Sequence, residues 1–153
     1  MKTSLGLLLI LVTTMGQAFA DTPESARQIA ESATAEWNAA FAKGRVDDIL
    51  TLYSNDAMLL QPDGAVSRGA SQIRDFWQKM IQQGEYAMDV IDVRREQGGA
   101  IVATVRLSDV KTLTSAHQTV KYNYDGVVYS VLKQQADGRW KAEVQRWNSA
   151  HNT

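Results

Sequence analysis

The forty-one residues from Trp37 to Trp77 constrain the fold more than any other part of the chain. They read Trp37-Asn38-Ala39-Ala40-Phe41, then Gly44-Arg45-Val46-Asp47-Asp48-Ile49-Leu50 and Tyr53-Ser54-Asn55-Asp56-Ala57. A short apolar run, Met58-Leu59-Leu60, stops at Gln61-Pro62-Asp63-Gly64, and the block closes with Arg68-Gly69, Gln72-Ile73-Arg74 and Phe76-Trp77. Helix, short helix, strand, tight turn and helix in this order leave an apolar-walled cup that a curved sheet could close. The polar residue where the strand meets the turn, Gln61, would stand at its lip.

The flanking pattern supplies the rest. Asp21-Thr22-Pro23-Glu24 has the chemistry of a helix start, with a capping side chain, a first-turn proline and an early acid. Ile29, Ala33, Trp37, Ala40 and Phe41 recur at helical spacing until Gly44. Val46, Ile49, Leu50 and Tyr53 mark a short helix with Asp47 and Asp48 in its first turn, where carboxylates suit the helix dipole. Ala57 to Gln61 reads as a strand, and Ile73, Phe76, Trp77, Met80 and Ile81 place a third helix over Ala70 to Gln83.

Beyond Gly84 the chain alternates as β-structure does. Tyr86–Arg95 and Ala100–Lys111 flank Gln97-Gly98-Gly99, and Thr119–Gln135 and Arg139–Asn148 flank Ala136-Asp137-Gly138: two hairpin signals. The polar stretch from Thr112 to His117 is expected to be a loop. The expected class is α+β, a cone in which a curved antiparallel sheet wraps three N-terminal helices.

The first twenty residues are expected to be a signal peptide. Lys2 precedes an uncharged run from Leu5 to Met15, and Ala18-Phe19-Ala20 before Asp21 is a small-x-small cleavage signature. The run is shorter than the roughly 20 apolar residues a membrane span needs. A single domain over residues 21–153, periplasmic or secreted, is the expected product. With no cysteine anywhere, neither a disulfide framework nor thiol chemistry is available. Removing Lys2 leaves 15 basic residues against 17 acidic ones, with no basic stripe for nucleic acid or an anionic membrane. His117 and His151 stand alone, so no metal site is expected, and no motif calls for a cofactor.

The Trp37–Trp77 block, together with Asp137-Gly138-Arg139-Trp140 and Arg146-Trp147-Asn148, resembles the nuclear-transport-factor-2-like superfamily. Within it the chain is most similar to the SnoaL-like and ketosteroid-isomerase-like branch and to exported proteins of the domain-of-unknown-function 4440 type. The resemblance spans roughly Glu24 to Ser149. It implies a pocket at the open end of the cone and, in many members, a dimer packed through the sheet. The isomerases of the branch use a carboxylate base at the end of the first strand, with a tyrosine and a protonated aspartate as oxyanion donors.

Carried over by position, that catalytic set is not intact. The base position falls at Gln61, whose amide accepts no proton near neutral pH. The helix donor falls at Trp37, the sheet acid at Ser130 and a further network tyrosine at Trp77, while Tyr53 keeps its type. Gln145 stands where the 4440-type proteins often have aspartate. The expected ligand pocket is therefore Trp37, Tyr53, Gln61, Trp77, Ser130, Gln145 and Trp147. Each also has a plainer role in core packing or in satisfying buried backbone groups. Strict alternation puts Glu143 on the face of Gln145 and Trp147, which makes it a weak candidate for a catalytic base. Three readings follow: a domain binding a small apolar molecule, a SnoaL-like isomerase, dehydratase or hydrolase, and a dimerising interaction module. A homodimer is expected.

Overall fold

A computed structural model describes residues 24–113 and 118–149 of the chain. The expected leader at residues 1–20 and both histidines lie outside them; of the loop expected over Thr112–His117, residues 114–117 lie outside and Thr112 and Leu113 are strand instead. Three helices, α1 (Ala26–Ala42), α2 (Val46–Leu50) and α3 (Gly69–Gln83), pack on one face of a single curved sheet. Its strands are β1 (Tyr53–Leu60), β2 (Val66–Arg68), β3 (Glu85–Arg95), β4 (Ile101–Leu113), β5 (Gln118–Gln134) and β6 (Trp140–Ser149). They lie in the order β2-β1-β6-β5-β4-β3. All pairings are antiparallel except β1 with β6, which run parallel.

Helix α1 begins a few residues later than its acid- and proline-rich approach implies. Ser25 is the cap: its Oγ accepts from the Gln28 N–H at 3.2 Å, and the Gln28 amide oxygen accepts from the Ser25 N–H at 2.9 Å. This reciprocal box satisfies two of the helix's orphan donors, which a first-turn proline does not do. Ile29, Ala30, Thr34, Trp37, Ala40 and Phe41 form its buried face. Gly44, at φ 62°, takes the left-handed conformation that ends the helix cheaply only in glycine. Helix α3 buries Ile73 and Trp77, one turn apart.

Asn38 ties α1 to the sheet. Its side-chain amide donates to the Met88 carbonyl at 2.9 Å and accepts from the Met88 N–H at 2.8 Å. A backbone pair of β3 thereby gains two partners from a single helical side chain. In β4, Ile101, Ala103, Val105 and Leu107 point inward as alternation requires, opposite Val128, Ser130 and Leu132 of β5.

On β6 the alternation breaks. Val131 pairs with Val144 but Leu132 pairs with Ala142, so Glu143 is the extra residue of a bulge. Ala142 takes the inward position and Glu143 turns outward, where its carboxylate meets Lys133 Nζ at 3.3 Å. Glu143 therefore does not share a face with Gln145 and Trp147, contrary to strict alternation. Near β1, Asp47 pairs with Arg74 at 2.6 Å and Asp48 with Arg45 at 3.2 Å. Arg68 lies against the Met58 sulfur.

Candidate functional site

Seven aromatic rings converge where the helices meet the sheet. Trp77 of α3 is at the centre, fully buried, with ring centroids at 4.9 Å from Trp37, 5.7 Å from Phe41, 5.2 Å from Phe76 and 5.3 Å from Trp147. Trp37 meets Tyr53 edge-on at 5.1 Å, and Phe41 meets Tyr86 at 5.6 Å. Most of these pairs are close to perpendicular, the geometry that sets a positive ring edge against a negative face.

A chain of hydrogen bonds runs through the cluster. Trp77 Nε1 donates to Tyr53 Oη at 2.9 Å, Tyr53 donates to Gln145 Oε1 at 2.6 Å, and Gln145 Nε2 donates to Ser130 Oγ at 2.9 Å. Its direction is fixed by chemistry, because an indole N–H can only donate. Tyr53 must then spend its proton on Gln145, which turns the amide nitrogen toward Ser130. Ser130 and Gln145 are cross-strand neighbours on β5 and β6, and Tyr53 opens β1. The buried hydroxyl of Tyr53 is held well above its ordinary acidity range by loss of water, an effect the Trp77 hydrogen bond only partly opposes. Among the described residues, none of the buried side chains carries a charge.

Six residues expected from the sequence as a ligand pocket thus come together: Trp37, Tyr53, Trp77, Ser130, Gln145 and Trp147. They pack against one another. The space left beside Trp37, Ser130 and Gln145 is about 10 Å³, the room of one water molecule at most. Gln61 is not among them. Half-buried at the end of β1, it closes the β1–β2 turn through its backbone and donates its side-chain amide to Ser67 Oγ at 2.9 Å. Glu143 lies on the opposite face of the sheet.

Larger spaces lie at the two ends of the parallel β1–β6 pair. At the ends of these strands, Pro62, Phe76, Met80, Gln83, Tyr86, Leu107, Trp147 and Asn148 enclose a cleft of about 150 Å³. At their starts, a second cleft of about 160 Å³ lies between α1 and the β5–β6 turn, with Glu36, Trp37, Leu52, Trp140 and Lys141 in its wall. Arg95 stacks over Trp140 nearby at 5.9 Å. Of the residues around the first cleft, only Trp147 was foreseen. Phe76 and Met80 were signalled by their four-residue spacing on α3, and Leu107 by its parity on β4. Their convergence needs the tertiary fold. Among the described residues, two buried side-chain polar atoms have no hydrogen-bond partner: Ser54 Oγ and Trp147 Nε1.

This architecture recurs among solved structures. A ketosteroid isomerase-like protein from Erwinia carotovora atroseptica superposes with a TM-score of 0.60 at 12% identity, over 81% of this chain and 95% of that one. An NTF-2 like protein of unknown function from Shewanella oneidensis gives 0.63 at 16%, over 82% and 100%. A putative calcium/calmodulin dependent protein kinase II association domain from Xanthomonas campestris gives 0.65 at 16%, over 85% and 91%. At such identities the likeness is one of fold. No curated protein matches the chain in sequence. The sequence profile of the SnoaL-like domain matches residues 34–143, from the middle of α1 to the bulge of β6. Cone, helix order and sequence profile agree, and the chain belongs to the SnoaL-like domain family.

Proposed function

We propose that this domain binds a small, largely apolar molecule in the cleft at the ends of β1 and β6, without transforming it. The observation that carries the reading is the composition of that cleft: five large apolar or aromatic side chains from α3, β3, β4 and β6, a proline, two amides, and no charged residue. Apolar walls with a few neutral polar groups suit the binding and orientation of a neutral ligand. The cleft is about half the roughly 300 Å³ at which pockets for drug-sized ligands begin, so the ligand is small.

Enzymatic proton transfer is the competing reading, raised by the ketosteroid isomerase-like neighbour. It requires a base, and the base position holds an amide turned toward Ser67. Two measurements test the proposal. The Met80 methyl resonance should shift saturably on titration with ethylbenzene, and a β,γ-unsaturated ketosteroid should isomerise no faster than in buffer. A Met80 signal that never moves sinks the binding reading; turnover well above buffer sinks the non-catalytic one.

A dimer is a second element of the proposal. On the outer face of the sheet, Val102, Val131, Val144 and Met58 lie in one row across β4, β5, β6 and β1. All four are partly accessible, and Tyr129 beside them is 40% exposed. An apolar row on an open sheet face suits a second copy of the chain.

A further inference from the structure

The interior is thrifty with polar groups, since Trp77, Tyr53, Gln145 and Ser130 satisfy one another. Trp147 breaks the pattern. Its side chain is more than nine-tenths buried, its Nε1 has no partner, and the same residue frames the cleft between α3 and the ends of β1 and β6. A buried N–H left unpaired is destabilising and rare enough in folded proteins to call for a physical reason. The other orphan, Ser54 Oγ, lies on β1 and lines none of the clefts described above.

We infer that the cleft takes a neutral, single-ring ligand bearing a carbonyl or ether oxygen, and that this oxygen accepts the hydrogen bond of Trp147 Nε1. The inference rests on the binding reading above and names the class of ligand. Size sets the ring: an apolar cavity of about 150 Å³ is one that admits benzene, and this cleft has that volume. Charge sets neutrality, because a carboxylate would enter with no counter-charge among Pro62, Phe76, Met80, Gln83, Tyr86, Leu107, Trp147 and Asn148. The orphan donor sets the acceptor. The nitrogen is buried from solvent, so the inference requires the cleft to open locally for the oxygen to reach it. Met80, unbranched and only partly buried, is the most adaptable of the walls.

The test uses ¹⁵N-labelled protein, with the Trp147 indole signal assigned by its absence in Trp147→Phe. Acetophenone and ethylbenzene, rings of similar size with and without a carbonyl, are titrated in parallel. Acetophenone is expected to move the Trp147 indole proton downfield and to bind about tenfold more tightly than ethylbenzene. An unmoved Trp147 signal, or equal affinities for the two rings, overturns the assignment while leaving the binding reading intact. Failure of both rings to bind overturns the two together. If Trp147→Phe does not fold, a benzothienylalanine at position 147 removes the N–H and keeps the bicyclic shape; it should abolish the preference.

Discussion

The hydroxyl of Tyr53 serves two buried neighbours at once, accepting from Trp77 and donating to Gln145. Phenylalanine would strand both, and a buried polar group without its partner costs about 1–3 kcal/mol. Tyr53→Phe should therefore lose on the order of 2–4 kcal/mol in urea unfolding, although it keeps the ring against Trp37. The pH dependence has a definite sign. Burial raises the folded phenol well above its ordinary value of 10.0, while the unfolded phenol releases its proton near that value. The Tyr53 contribution is complete below the unfolded value and is lost as pH climbs toward the folded one. Urea midpoints at about pH 9 and about pH 11 should lie further apart in the wild type than in Tyr53→Phe; equal drops in the two would contradict this. Several members of the hydrogen-bond chain were legible in the sequence because a family resemblance marks their positions. What they do there was not, because which groups a tyrosine bonds depends on strands and helices far apart in the chain. Gln61 illustrates the limit: its position was marked, but its partner Ser67 belongs to a three-residue strand too short for any pattern to announce.

Hairpins and helices were legible because their signals are local. Gly98-Gly99 and Asp137-Gly138 turn the chain within a few residues, and α3 ends where Gly84 says it should. Pairings between distant segments carry no such signal, so the parallel contact of β1 with β6 emerges only in the structure. The bulge at Glu143 is a second case. One extra residue shifts every later side chain to the other face, and an alternating pattern has no means of recording the insertion. A pair of variants separates the consequences. Glu143→Gln loses only a half-exposed ion pair with Lys133 and should change stability by less than about 1 kcal/mol. Asn38→Ala strips both side-chain partners from the Met88 backbone and should cost about 1–3 kcal/mol. If Glu143→Gln proves as damaging in urea unfolding as Asn38→Ala, the outward placement of Glu143 is wrong.

At the scale of the whole molecule, the two faces of the sheet have different chemistry. The inner face carries the aromatic cluster, and among the described residues the larger clefts lie at the strand ends. The outer face carries the row Val102, Val131, Val144 and Met58 between charged flanks that include Arg106, Lys133 and Arg146. An antiparallel sheet with one wet face normally sets polar residues outward, so an apolar row in register across four strands is costly unless something covers it. A second copy meeting the first about a twofold axis would bring the row onto itself. Light scattering on the eluted protein should give twice the mass of one chain, and Val131→Arg, which places a charge at the middle of the row, should give the mass of one. A monomeric wild type would end the dimer proposal. Because Val131 points away from the cleft, the monomeric variant should still shift the Met80 methyl on adding ethylbenzene. Loss of that response together with the dimer would mean that the two faces are coupled through the sheet.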